Sequence, residues 1–240
     1  MRRAAIVLTG HFLLCGLVWA TAQDLRYPGD PPPPPPPLDG PSDTYIALRG
    51  SLSFDGKGSN VSIPTTPAAT ALRPSHDVGG GGAIALGAEL PYGIRLETEA
   101  LYRNRPVNSV NLGGTVLPAG GNVQQAAGMF NLVWAPQLDD LPVRPMIGGG
   151  IGGAYTYGQV TDPTGANVYL QPRGWHLAYQ GMAGLEVPLM PGASLTAAYR
   201  WLHTDNVGAR CGVAGTATLS CKKFGLDDQS VDVGVKVDLP

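Results

Sequence analysis

The 240 residues carry 16 Lys and Arg against 18 Asp and Glu, a net charge of -2, and only 14% of the chain is charged. There is no basic excess to neutralise phosphates, which excludes nucleic acid as an expected partner. The 34 Gly and 23 Pro favour strands and turns over helices, and a mean hydropathy of +0.01 is what alternating strands average to.

Residues 1–22 read as a secretory leader. Arg2 and Arg3 supply the positive start, Ile6 to Trp19 is mostly apolar, and Ala20-Thr21-Ala22 suits cleavage before Gln23. Cys15 would leave with it, and Leu14 before that Cys argues against lipidation. No later run reaches the roughly 18 apolar residues of a transmembrane helix. Export then predicts either a secreted soluble protein or an outer-membrane barrel. In an exported chain Cys211 and Cys221 are expected to form a disulfide worth about 2–4 kcal/mol, and no His flanks them to suggest a metal. Residues 23–43 contain Pro31 to Pro37 unbroken, an extended polyproline spacer expected in the periplasm, either a linker or a docking segment for the cell wall.

Eight strand-like stretches follow over residues 44–240. The first is Thr44 to Phe54, with Ile46, Leu48, Leu52 and Phe54 on one side and Arg49 and Ser51 on the other. Gly79 to Leu90 sets Ile84, Leu86 and Leu90 against Gly87 and Glu89. Gly93 to Asn104 sets Ile94, Leu96, Ala100 and Tyr102 against Arg95, Glu97, Glu99 and Arg103. Gln124 to Ala135 sets Phe130, Leu132 and Trp134 against Gln125 and Asn131, and Val143 to Tyr157 sets Ile147, Ile151 and Tyr155 against glycines. A hairpin around Met190-Pro191-Gly192 is the clearest stretch. Trp175, Leu177, Tyr179, Leu185, Val187 and Leu189 alternate before the turn, and Leu195, Ala197, Tyr199 and Trp201 after it. Gln229 to Leu239 ends the chain with Val231, Val233, Val235 and Val237. Period two means strands with one apolar side.

Long connections (55–78, 105–123, 158–173, 205–228) alternate with short ones (91–92, 136–142, 190–191). Long outer loops and short periplasmic turns are the habit of membrane barrels, and a sandwich has no reason to sort its loops so. In lipid every backbone N–H and C=O must be paired, so the sheet must close, and eight strands leave an interior just filled by side chains. The expectation is therefore an all-β, eight-stranded antiparallel up-and-down transmembrane barrel. Its apolar sides face lipid, and Trp134, Trp175, Tyr199 and Trp201 anchor it at the interfaces. The opposite sides place Arg49, Glu89, Glu97, Glu99, Glu186 and Arg200 inside, with Arg95, Asp232 and Lys236. Buried charges must pair, so Arg49 and Arg200 are expected to bind some of Glu89, Glu97, Glu99 and Glu186.

The order of these pieces resembles the small outer-membrane β-barrel family of OmpA type. The pieces are Glu97-Thr98-Glu99-Ala100-Leu101-Tyr102, Pro145 to Gly152, Ala183 to Val187, Ala198-Tyr199-Arg200-Trp201 and the closing Val-rich strand. The resemblance implies an outer-membrane location and a structural or surface-interaction role, or else a small porin. Its implied partners are outer-membrane lipid and lipopolysaccharide, the barrel-assembly machinery and cell-wall or host surfaces. Members usually end in an aromatic residue, where Leu239-Pro240 stands here.

Two motifs invite other chemistry. Gly148 to Gly153 matches G-x-G-x-x-G, but it continues in a strand pattern to Tyr155 and Tyr157, so no nucleotide is expected. His203-Thr204-Asp205-Asn206 stands where some barrel deacylases of lipid A carry a His and a nearby Ser. Asp205 occupies the serine position, which removes the nucleophile, and His176 has no second His for a metal. No catalytic residue, cofactor or metal is expected.

Overall fold

The computed structural model describes residues 43–54, 60–63, 70–138, 142–165, 167–212 and 219–239. The expected leader and nearly all of the proline-rich linker fall on residues 1–42, outside the described residues. Eight long strands carry the fold: β1 (Asp43–Phe54), β2 (Gly79–Leu90), β3 (Ile94–Leu112), β4 (Gly120–Trp134), β5 (Arg144–Thr161), β6 (Val168–Met190), β7 (Ala193–Val207) and β8 (Phe224–Asp238). Each pairs antiparallel with the next along the chain. The ring closes where β1 meets β8, with Ile46 opposite Val237 and Leu52 opposite Val231. Closure leaves none of the eight with a free edge, so the backbone can sit in hydrocarbon without stranded polar groups.

The wall is inverted relative to a soluble protein. Phe130 is 70% exposed, Leu177 56% and Val233 51%, while Arg200 is 2% exposed and Glu97 and Glu99 are buried. The aliphatic side chains of β1 to β8 thus form an outward apolar belt. Two stacked sheets would instead have hidden Leu177, Tyr179, Leu195 and Val233, and all four are exposed. Small residues inside let the strands approach. A Cβ at Gly184 would come within 2.2 Å of the Ala197 carbonyl oxygen, so β6 and β7 can pair this closely only with glycine there.

The strands are longer than the alternating apolar pattern predicts. β3 continues to Leu112, β4 starts at Gly120, β5 reaches Thr161, β6 begins at Val168, and β7 runs to Val207. Much of the chain expected as long loops is therefore sheet. The hairpin of Val61–Ile63 and Thr70–His76 adds to the upper end of β3, as does Thr115–Pro118. Ala209–Cys211 pairs with β6 and with Leu219–Ser220. The reason lies in the solvent. Above the belt the wall meets water, and the buried face becomes apolar: Val61, Ile63, Leu72, Val107, Val110, Val123, Val160, Leu170 and Val207 pack into one cluster. The face that carries Arg and Glu lower down carries Val and Leu here, so the pattern breaks in sequence although the strand does not.

Candidate functional site

The lumen is built by alternation alone. In β3 the odd positions Arg95, Glu97, Glu99, Arg103 and Arg105 all turn inward, and in β8 the even positions Asp228, Ser230, Asp232 and Lys236 do. Arg49 on β1 reaches both Glu97 and Glu99, its two terminal nitrogens 2.7 Å from an oxygen of each. Arg200 on β7 grips both oxygens of Glu99 and donates 2.6 Å to Asp232 and 2.8 Å to Gln180. Glu186 pairs with Arg95 at 2.5 Å and with Lys236 at 3.4 Å. Glu89 lies lower, 3.0 Å from Arg95 and 3.3 Å from Arg144. Arg49 and Arg200 therefore meet at Glu99, while Glu89 and Glu186 form a second group with Arg95 and Lys236 nearer the short turns.

Tyr45, Arg105 and Asp228 join this network from outside the inward residues expected from sequence, and they bring partners to others already expected there. Tyr45 donates to Glu97 at 2.8 Å, with the Lys236 ammonium 5.0 Å from its ring centre. Gln180 bridges Glu99 and Asn131. Arg103 and Arg105 both approach Asp228, at 3.4 and 3.7 Å. The parity signal was present, since Asp228 shares the even register of Asp232 and Arg105 the odd register of Arg103. Only strand ends placed at Asn104 and Gln229 hid them. Acids and bases thus alternate from Lys236 at the short-turn end to Arg105, above which the apolar cluster begins. A polar cavity of about 370 Å³ at the short-turn mouth touches Arg144, Glu186, Lys236 and Asp238. A concavity of about 880 Å³ is bordered by Leu86, Leu96, Phe130, Leu132 and Ile151, on the belt.

Of the anchoring aromatics, Trp134 is exposed at the short-turn end, Trp175 at the opposite end beside Tyr155 (5.4 Å), and Tyr199 within the belt. Trp201 is partly buried and donates to Asp227 at 3.2 Å. His203 shares that oxygen at 2.8 Å and stacks on Tyr179. Among the described residues no Ser, Thr or Cys side chain is hydrogen-bonded to His203. The glycines at Gly148 to Gly153 lie inside β5, not at a strand-to-helix turn. Cys211 and Cys221 are joined by a disulfide that packs on the apolar cluster. His76, in the hairpin beside β3, is buried with neither ring nitrogen partnered, and burial together with the Arg105 charge holds it down to about 4.

No family model matches the sequence. A curated outer membrane protein of Gluconacetobacter diazotrophicus is 34% identical over 136 residues, 52% of this chain. The match spans about a third of that relative's length (35%). Among solved structures, OprG of Pseudomonas aeruginosa superposes with a TM-score of 0.60 at 14% identity, covering 82% of this chain and 96% of that one. A major outer membrane protein of Thermus thermophilus gives 0.51 at 14% identity, covering 82% and 99%. The chain has the fold of the small outer-membrane β-barrels. Membrane barrels of this fold turn such an apolar belt to lipid, keep their short turns in the periplasm and place their long connections outside the cell.

Proposed function

We propose that this barrel is a non-catalytic anchor, of the OmpA-like kind, whose extended outer end serves envelope integrity or surface contact. The observation that carries the reading is the filled lumen. Arg49, Glu97, Glu99, Arg200, Asp232 and Arg103 join across the axis at 3.5 Å or less, and the apolar cluster sits on top of them. A solute would have to break several buried ion pairs and then cross dry aliphatic packing. Energy invested in such a plug supports rigidity rather than passage. The pairing of His203 with Asp227, and Asp205 in place of a nucleophile, support the absence of hydrolysis.

The periplasmic mouth cavity favours a second reading, a narrow channel for ions or small solutes. Conductance of the purified full chain in planar bilayers separates the two. The anchor reading expects brief openings of low conductance at most. Steady, large openings in most insertions would establish the channel. Lipopolysaccharide, the assembly machinery and cell-wall or host surfaces are the partners this reading proposes.

A further inference from the structure

Most of the positive charges of this protein fall into two groups. Arg49, Arg95, Arg103, Arg105, Arg144, Arg200 and Lys236 are each paired with a carboxylate. Arg173, Arg210 and Lys222 are exposed, and among the described residues none of them makes an ion pair. The sheet brings these three together. Arg210 lies directly opposite Gln171 on β6 and opposite Ser220 on its other side. Arg173 follows Gln171 by two residues on the same face, and its N–H bonds to the Gly208 carbonyl at 3.2 Å. The Cys221 N–H bonds to the Ala209 carbonyl at 3.0 Å, which brings the next residue, Lys222, beside the same ribbon, its own N–H bonded to the Ser62 carbonyl at 3.2 Å. Cross-strand neighbours of this kind stand roughly 5 Å apart at Cβ, and diagonal ones about 7–8 Å. Three cations are therefore gathered on one part of the rim near Gly208, where an added Cβ would meet only open space.

Two features fix this arrangement in place and in height. The disulfide joins the residue after Arg210 to the residue before Lys222, and Cys211 is buried against the apolar cluster. Alternation then turns Arg210 to the outer face, and Lys222 is exposed beside it. Arg173 donates from Nε to the Tyr155 hydroxyl at 3.4 Å, and Tyr155 packs on Trp175, the exposed aromatic that ends the belt on β6. Arg173 thus lies two residues, and the strand partner of Arg210 four residues, beyond Trp175 at the aromatic end of the belt. Two carboxylates towards this end of β7 and β8 are already engaged: Asp227 accepts from Trp201 and pairs with His203, and Asp205 accepts from Asn206.

We propose that Arg173, Arg210 and Lys222 form a docking site for the phosphorylated headgroup of an outer-leaflet glycolipid. The site rests on the outer-membrane orientation above and assigns the lipid contact to one sector of the rim, β6 with the disulfide-linked ribbon. A phosphate there would accept charge-assisted hydrogen bonds from two planar guanidinium groups and an ammonium, and the acyl chains would run down the belt below Trp175.

The test uses the full chain refolded into phosphatidylcholine nanodiscs, with bisphosphorylated lipid A as probe and its dephosphorylated form as control. Retained lipid is counted by native mass spectrometry. The unsubstituted protein should retain the bisphosphorylated form at least about tenfold better than the control, and the R173Q/R210Q/K222Q variant should lose that preference. The charge-keeping variant R173K/R210K/K222R should hold at least half of it, and C211S/C221S should fall between. Equal retention by the unsubstituted and Gln variants would overturn the proposal, as would full displacement by millimolar inorganic phosphate. A heat-dependent shift in gel mobility, scored on each protein, reports barrel closure. Loss of that shift in the unsubstituted chain would defeat the barrel reading itself, whereas a shifted protein without lipid preference defeats only the rim site.

Discussion

Replacing Arg200 by Met tests the idea that the lumen is a mutually dependent network. Arg200 is 2% exposed and satisfies two carboxylates at once, Glu99 and Asp232, besides the amide of Gln180. Met fills much of the volume, so the loss is electrostatic. Removing one partner of a buried pair costs about 3–5 kcal/mol, because a charge is left without compensation. Here Glu99 keeps Arg49 at 2.7 Å, and Asp232 keeps Ser230 at 2.9 Å and Arg103 at 3.5 Å. Neither acid is abandoned, which places the expected loss near the lower bound, about 3 kcal/mol. The assay is reversible urea unfolding in phospholipid vesicles, followed by tryptophan fluorescence. Glu99→Gln added to Arg200→Met should recover part of the loss, since it removes one of the two under-compensated charges, with a coupling of about 1–3 kcal/mol. An Arg200→Met variant within about 0.5 kcal/mol of the parent, or strict additivity of the pair, would refute the reasoning.

Phe130 sits in the middle of the outward face of β4, so Phe130→Arg should destabilise the barrel by about 2–4 kcal/mol in vesicles and hardly at all in short-chain detergent; equal effects in both would contradict a lipid-facing wall. Reducing the bridge between Cys211 and Cys221, which are 10 residues apart, should cost roughly 3 kcal/mol locally. Proteolysis should then cut near Ala209–Ser220 while the belt strands remain intact, and cleavage within β1 or β8 would count against this. His76 should stay neutral in nuclear magnetic resonance titrations until about pH 4, well below a free imidazole. Its folded value is depressed, so between pH 6.5 and about 4 the unfolded chain binds the extra proton, and the outer hairpin loses stability as pH falls through that window. A midpoint near 6.5 would mean that the hairpin does not bury the ring.

The parts of the fold written in local pattern were legible. Trp175, Leu177 and Tyr179 alternate with small or polar residues, and only a strand with one greasy side satisfies that spacing. The turns at Pro91 and Pro191 were equally plain, because proline and glycine cannot continue a ladder there. What escaped were the upper strands. Val107, Val123 and Val160 belong to the same strands as Glu99, Gln125 and Gly152, yet the chain crosses from lipid to water between them. The environment that decides which face must be apolar changes along one strand, and no window of sequence carries that information.

Strand class, the inward parity of the charges and the pair of cysteines available for a bridge are all readable along the chain, because each follows from period-two geometry or residue chemistry within one stretch. The tertiary structure alone decided the partners. Arg49 meets Glu97 and Glu99 from about fifty residues away, Arg200 meets Glu99 from 101, and Arg173 comes beside Arg210 through sheet register. Coulomb attraction at about 3 Å selects among many chemically equivalent acids, and only closure of the ring, which sets strand order and stagger, brings particular ones within that range.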